Sequence, residues 1–377
     1  MKSGEDRSER KAALKQTLQD LLALHGVSGF EQSVARYVAE RFRALVEDVH
    51  VDGYGNVIAR KQGAQPRPLL MLSAHMDEIG FIVKAIEPNG FLRFDRIGGA
   101  GDALLSCRRV DVNGQQGLIG SISGHLGSPD RLASVTPMAD LYIDVGASSA
   151  DEVAAMKIRV GDPISFLGEL AELAAGDRVC GKGMDDRAGV AILIEALTAL
   201  RNETPFGPVV AVGTVLEQVG HRGAAMVAAR VKPDYAIAID GVPAGDTPDL
   251  SVTRDIPVAM GQGPVALVAT STGALNIRGS IAHPAMKRHL LAAAGEIRVQ
   301  LATTINKGST EAGLIHLSNG GIPTISLGIP RRYSYSPHEM IDLNDALSAI
   351  DLLVRFVRGM HQHSDLGFLS GVEQESA

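Results

Sequence analysis

The sequence predicts an α/β protein with a mainly parallel sheet covered by helices, interrupted once by an inserted β-rich segment. Three observations carry that expectation. The apolar runs LLMLSA, VVAVGTVL, YAIAI and PTISLGIP lack the polar alternation of a half-exposed strand, so they read as strands buried on both faces. Segments with helical apolar spacing alternate with them from Val179 onward, the order that builds a parallel sheet through helical crossovers. From about Asp77 to Leu170 the pattern changes to short β-like pieces, such as GFLRFDRIG and RVDVNGQQGLIGSI, broken at short intervals by Gly, Asn, Pro and Ser.

In chain order, Lys11 to Leu45 has helical spacing broken by the turn HGVSGFE. A strand pair follows around Val49 to Arg60, with Gly at its turn, and then the run PLLMLSAHMDEIGFIV. After the insertion, MDDRAGVAILIEALTAL is helical, PVVAVGTVLEQVG is a buried strand and RGAAMVAARV is helical. YAIAID and IPTISLGIP are strands, with the helical AMKRHLLAAAGEI between them. DLNDALSAIDLLVRFVRGM closes the pattern as a helix that opens on an Asp or Asn cap. The domain reading is residues 1–76 and 171–366 as two parts of one α/β domain, 77–170 as an inserted small barrel or sandwich, and 367–377 as a flexible tail.

A chain of 377 residues is long enough for two or three domains and a large core. Its 45% hydrophobic and 21% charged residues match a folded soluble protein rather than a disordered one. A net charge of −7 without a basic stripe argues against a nucleic-acid partner, because that binding depends on clustered Lys and Arg releasing counterions. The stretch MKSGEDRSERKAALKQTL lacks the apolar core of a signal peptide, and no apolar run approaches the length of a membrane span, so a cytoplasmic protein with no membrane contact is expected. Cys107 and Cys180 are too few for a disulfide framework or a thiolate metal cage.

Chemistry-bearing residues collect where the strands end. LLMLSA runs into His75 and Asp77, VVAVGTVL into Glu217, and YAIAI into Asp240, while PTISLGIP precedes Tyr335 and His338. Open α/β sheets bind ligands at the carboxyl ends of their strands, so these groups can converge. Asp185 and Asp186, in GKGMDDRAG, begin a helix, where unpaired N–H groups favour an anion. Singly, each residue has a plain structural reading: a hydrogen-bonded rim histidine, an N-cap, a turn-forming Asp. Glu217 is harder to place that way, since a carboxylate ending so apolar a strand needs a cation or a proton.

The stretches AHMDEIGF, GKGMDDRAG, TVLEQVGHRGA, YAIAID and GSTEAGLIHLSNGGIPTISLGIPRRY, with LYIDVGASS and IRVGDPISF in the insertion, resemble the tetrahedral, glutamyl and deblocking aminopeptidases, a family of di-metal peptidases. The resemblance spans nearly the whole chain. It implies a zinc-peptidase-like catalytic domain, an inserted barrel that makes dimers, and assembly of the dimers into a large homo-oligomer. It also implies that His75, Asp185 and Asp240 hold one divalent ion, that Asp77 orients His75, and that Glu217 is the general base.

Two places depart from the family pattern. Gln218 stands where a second acid would hold another ion, and in RRYSYSPHE Tyr335 stands where a histidine would. A neutral amide and a protonated phenol are weak ligands. One divalent transition metal per subunit is therefore expected, manganese foremost, with zinc, cobalt or iron also suited, and His338, three residues past Tyr335, as a substitute ligand for a second ion. This one-metal pattern is similar to the divergent relative 5-nitroanthranilic acid aminohydrolase. The resulting expectation is a metal-dependent hydrolase acting on a C–N bond of a small molecule, specifically the deamination of 5-nitroanthranilate to 5-nitrosalicylate by metal-activated water, with metal-dependent aminopeptidase as the alternative. Gln218, Tyr335, His338, Arg332, Thr310 and Glu311 are the candidate substrate-binding residues.

Overall fold

The computed structural model describes residues 4–122, 124–128, 133–173, 176–272, 278–362 and 365–369. Of the expected tail, residues 370–377 lie outside the described residues. The chain opens with helix Gly4–Leu22, on which Leu14, Leu18 and Leu21 recur at helical spacing and are fully buried. Helix Gln32–Arg43 follows, burying Val34, Val38 and Phe42 on one face.

Among the described residues, a sheet of twelve strands forms the main layer. Its central strands, Val209–Thr214, Leu70–His75, Tyr235–Pro243 and Thr324–Arg332, pair in parallel in that order. Antiparallel neighbours flank them: Val57–Lys61 with Asp48–Val51 on one side, and Glu339–Asp342, Arg178–Gly181 and Ala171–Leu173 on the other. The parallel sheet expected from the apolar runs is thus the centre of a mixed sheet. Val265–Thr272 also joins Thr324–Arg332 antiparallel and takes Gln300–Thr304 and Arg278–Ile281 as further partners. The apolar run at residues 265–269 is short and gives way to Thr270, Ser271 and Thr272, so it does not announce this pairing.

The central strands are covered on both faces, and their side-chain alternation shows how. Leu70, Leu72, Val209, Ala211, Ile237 and Ile239 pack with the helices Gly4–Leu22, Met184–Ala199 and Leu343–Arg358. Met71, Val210, Val212, Ala236 and Ala238 point the other way, against Ala224 and Val227 of helix Arg222–Val231 and Ile315 of helix Ala312–Ile315. A strand whose odd and even residues are all apolar needs a cover on each side. The last helix is N-capped by Asp342, whose side chain accepts from the Asn344 N–H. No described helix is long and apolar enough to cross a membrane.

After His75 the chain leaves the sheet, and it returns with Ala171–Leu173. In between lies a closed antiparallel barrel of strands Gly80–Ile86, Leu92–Ile97, Tyr142–Asp144, Gln115–Gly120, Arg109–Val112 and Pro163–Phe166, in spatial order. Phe81 is its centre, edge-on to Phe94 at 5.1 Å and to Phe166 at 5.3 Å between ring centroids. The barrel has its own apolar core, and its described strands close on one another.

One buried ion pair ties the exit from the sheet to the start of the central helix. Glu78 receives Lys182 Nζ at 2.7 and 2.8 Å, and the Arg187 guanidinium lies 3.6 Å away. The same lysine donates to the Leu24 carbonyl at 2.9 Å, and Gly26 N–H donates to Glu78 at 3.1 Å. Replacing Glu78 by Ala leaves two buried cations without their anion, so Glu78→Ala is expected to lower the unfolding free energy by about 3–5 kcal/mol, measured by urea titration.

Candidate metal centre

The parallel strands deliver their last residues to one edge of the sheet. His75 ends Leu70–His75 and pairs in register with Thr214, the last residue of Val209–Thr214. Two residues further, Leu216 adopts a left-handed φ of 59°, which turns the chain off the strand and sets Glu217 beside the imidazole. Asp240 comes from the next strand, opposite Gly328. Ligand atoms of His75, Glu217 and Asp240 all lie within 4.8 Å of one another, and all three residues are buried. Asp185 joins from the other side, with Oδ1 3.5 Å from His75 Nε2, while Glu217 Oε2 is 3.7 Å from the same nitrogen.

Asp185 and Asp186 do not start a regular helical turn as expected. Their dihedrals, φ −86°, ψ 101° and φ −121°, ψ 42°, lie outside the helical region. The Asp185 carboxylate is therefore stabilised by side chains instead of by a helix N-terminus. Burial pushes its carboxyl up, but the charge of Arg331 and the contact with His75 hold it well below the usual range.

Asp77 connects the pieces. Its carboxylate accepts from the backbone N–H of Glu217 and of Gln218, each at 3.0 Å, and from Ser28 Oγ at 2.6 Å. His75 Nδ1 lies 2.9 Å from the Asp77 carbonyl and 3.5 Å from its Oδ1. One acid thus fixes both the ring and the loop that carries Glu217. Burial disfavours its charge, but the hydrogen bonds from His75 and Ser28 keep the carboxyl below its ordinary value.

The centre carries more negative charge than its own side chains balance. Burial, and then the charges of Asp185 and Asp186, push Asp240 well above the ordinary carboxyl range. Burial works against a charged His75, but Glu217, Asp185 and Asp77 raise it well above its usual value. His75 Nε2 and Asp185 Oδ1, which face each other, have no hydrogen-bond partner. An imidazole nitrogen and carboxylate oxygens converging in this way, with unsatisfied atoms between them, fit a divalent transition metal.

The other candidates divide. Gln218, Thr310 and Tyr335 line the same cleft as Asp185, Glu217 and Asp240. Arg332 does not. Successive residues of Thr324–Arg332 point to opposite faces, so Arg332 turns away and binds Asp246 at 2.9 and 2.7 Å, while its neighbour Arg331 points into the cleft. His338 is also misplaced by the expectation. Glu339 points inward from the next strand, so His338 faces a separate cleft beside Arg108, Lys182 and His25 and reaches no candidate ligand. Glu311 lies beneath the site, fully buried, and accepts a short hydrogen bond from Thr214 Oγ1. Burial pushes its carboxyl up to about 7.

Three residues went unread in the sequence. Arg331 Nη1 sits 2.7 Å from Asp185 Oδ2 and 2.7 Å from Glu339 Oε1. Glu339 also accepts from Asp185 N–H at 2.9 Å and Tyr335 N–H at 2.8 Å. His221 brings Nδ1 to 2.7 Å from Glu217 Oε1, off the axis that a hydrogen bond requires, and its Nε2 is 2.9 Å from Ser309 Oγ. Burial lowers the imidazole's affinity for a proton, but Glu217 more than offsets this, so His221 titrates above its usual value. The doubled arginine in RRYSYSPHE was the available signal for Arg331, since a strand end must send one of two adjacent residues inward.

The M42 glutamyl aminopeptidase profile matches residues 55–352, most of the chain. The chain belongs to this family. A glutamyl aminopeptidase of Lactococcus lactis subsp. cremoris is 30% identical over 351 residues, covering 90% of this chain and 95% of that protein. Among solved structures, aminopeptidase APDkam598 from the archaeon Desulfurococcus kamchatkensis superposes with a TM-score of 0.86 at 36% identity, covering 93% of this chain and 95% of that one. The Pyrococcus horikoshii TET1 peptidase, which assembles into a tetrahedron or a large octahedral shell, gives 0.79 at 31% identity, covering 91% and 99%. Members of this family are metal-dependent peptidases, and the expected fold, a helix-covered α/β sheet carrying a small barrel, matches these neighbours. These descriptions name peptidases, and none mentions an aromatic amine.

Two measurements test the arrangement. Asp77→Asn is expected to weaken metal affinity about 10–100-fold with the fold retained, read by isothermal titration, because the partner of His75 and the anchor of Glu217 change together. A carboxyl raised from its ordinary 4.5 to about 7 supports folding fully only below 4.5 and loses that contribution as pH rises through 7. In metal-free protein, Glu311→Gln is therefore expected to gain stability over the parent between pH 5 and 8, by on the order of 3 kcal/mol in urea titrations.

Proposed function

We propose that this chain is a metal-dependent aminopeptidase that releases N-terminal residues from peptides, with His75, Asp185 and Asp240 holding one divalent transition metal ion and Glu217 acting as general base. The observation that carries this reading is the convergence of one imidazole and three carboxylates on a space bordered by unsatisfied ligand atoms, within a family of metallo-aminopeptidases. A bound ion there would supply an activated water as nucleophile and polarise the substrate carbonyl. Manganese, zinc, cobalt and iron all suit the donor set.

The chain's own residues provide the remaining steps. Glu217 turns Oε2 toward the cluster and Oε1 toward His221, so Oε2 is the atom that takes the proton and returns it to the departing amine. His221, with Ser309 behind it, keeps Glu217 from rotating out of reach. Asp77 holds the Glu217 backbone and the His75 ring in one frame. Thr310, Gln218 and Tyr335 border the space where substrate would lie.

Assembly follows the same reading. The inserted barrel, with a core of its own, would pair with a second copy, and a homo-oligomer would be built from such dimers; the similar TET1 peptidase assembles into a tetrahedron or a large octahedral shell.

A second reading, hydrolytic deamination of 5-nitroanthranilate, is favoured by one observation. The Arg331 guanidinium lines the cleft, where N–H groups other than the Nη1 held by Asp185 and Glu339 would donate to a substrate carboxylate or nitro group, an anionic handle that a peptide N-terminus lacks. One sample of purified, metal-loaded protein should be offered a panel of peptides and aminoacyl anilides beside 5-nitroanthranilate. Amino-acid release without deamination is the expected result, and deamination without peptide cleavage would reverse the order of the two readings. Glu217→Gln is expected to retain its bound metal and lose about 10²–10⁴-fold in kcat. Loss of the metal with that substitution would make Glu217 a ligand instead of a base.

A further inference from the structure

The Asp185 carboxylate faces two ways. Oδ1 points at His75 Nε2 across 3.5 Å with no hydrogen-bond partner, open to an ion. Oδ2 is taken: Arg331 Nη1 lies at 2.7 Å and Gln218 Nε2 at 3.4 Å. We propose that Arg331 permanently supplies, on the Oδ2 side of Asp185, the positive charge that a second divalent ion would otherwise bring, so that the centre holds a single metal ion. This rests on the reading of His75, Asp185 and Asp240 as metal ligands.

The guanidinium is built into the site. Arg331 is only 3% exposed, and its second anchor, Glu339, receives the same Nη1 at 2.7 Å. Glu339 is a further carboxylate on that side, and it is already engaged by Arg331 and by the backbone N–H groups of Asp185 and Tyr335. Below lies the Tyr335 ring, with its centroid 5.5 Å from the guanidinium carbon. Above, the strand Tyr235–Pro243 carries Gly241, where a Cβ would stand 3.0 Å from Arg331 Nε and 3.1 Å from its Cζ. The absence of a side chain at Gly241 lets the guanidinium lie flat against that backbone.

Apart from Asp185 and Glu339, the donors on this side are weak ligands, so a second ion would depend on the two carboxylates that Arg331 occupies. Gln218 offers an amide N–H toward Asp185 and Tyr335 a phenol, while His338, the imidazole nearest in sequence, opens onto another cleft. A guanidinium does not deprotonate at any pH the protein survives, so its charge cannot be titrated away to admit a cation. Two positive groups cannot share Oδ2 in a buried space, where water screens them poorly. Arg331 therefore balances Asp185 and Glu339 as a fixed part of the fold, and unlike an ion it does not exchange with solvent or dissociate into a chelator.

Metal counting tests this independently of activity. Protein saturated with manganese or with zinc and then desalted is expected to hold one ion per chain by plasma mass spectrometry, located by anomalous diffraction beside His75. Arg331→Met keeps most of the side-chain length, removes the charge and frees Asp185 Oδ2 and Glu339 Oε1, so it is expected to bind a second ion. Arg331→Lys keeps the charge and is expected to remain at one. Two ions in the wild type or in Arg331→Lys would overturn this proposal alone, as would a single ion in an Arg331→Met protein whose circular dichroism and oligomer size match the parent. No ion at all would overturn the ligand reading and this proposal with it. If Arg331→Met does not fold, the counts for the wild type and Arg331→Lys decide the matter.

Discussion

Carboxylates crowded at the carboxyl ends of the central strands repel one another, and the rest of the site is arranged around that repulsion. Asp185, Glu217 and Asp240 surround one imidazole, with Asp186 and Glu311 buried just beyond. Charge of this density survives burial only when it is matched by cations, protons or N–H donors. Each of these appears. Arg331 neutralises one face of Asp185, two backbone N–H groups and a serine hydroxyl satisfy Asp77, and burial leaves Glu311 with a raised affinity for a proton. What remains unmatched lies on the side where His75 Nε2 and Asp185 Oδ1 meet, the side where an ion would sit.

The sheet makes such crowding achievable. Parallel strands end on the same edge, so residues far apart in sequence come together without long loops to order. Asp77 then adds a local constraint, because the residue that contacts His75 also holds the backbone on which Glu217 is mounted. The Glu217 backbone and the His75 ring share one support and cannot drift apart independently. The barrel contributes as well. Its loop places Gly99 against the Tyr335 ring, where a Cβ would lie 3.3 Å from the ring edge, so the insertion backs a residue that lines the cleft.

Membership of a peptidase family and the proposed substitution of Arg331 for one cation are compatible. The family relationship rests on most of the chain, whereas the substitution is confined to the side of Asp185 that faces Gln218, Arg331 and Tyr335. Hydrolysis needs an activated water, a proton carrier and a polarising positive charge, and nothing in that list requires both charges to be metal ions. A guanidinium delivers directional N–H donors where an ion would deliver a coordination site, so the difference bears on which substrate group is held there more than on whether hydrolysis occurs.

Hydrophobic patterning in the sequence by itself determined the alternation of buried strands and helices, the β-rich interruption, and His75, Asp77, Glu217 and Asp240 as strand-end residues, because period and burial are local properties of a chain. Even Asp185 could be named, although the reason offered, a helix N-terminus, was the wrong one. Only the tertiary structure decided which of two adjacent arginines faces the cleft and that His338 looks away from it. It also decided that Glu339 and His221 stand behind the carboxylates of Asp185 and Glu217 and that Glu311 lies under the floor. Those assignments depend on where a strand begins and on which neighbour it pairs with, so a shift of one residue in register would have exchanged Arg331 for Arg332. A side chain's partner across the sheet is a long-range quantity, set by folding the whole chain, and no window of the sequence contains it.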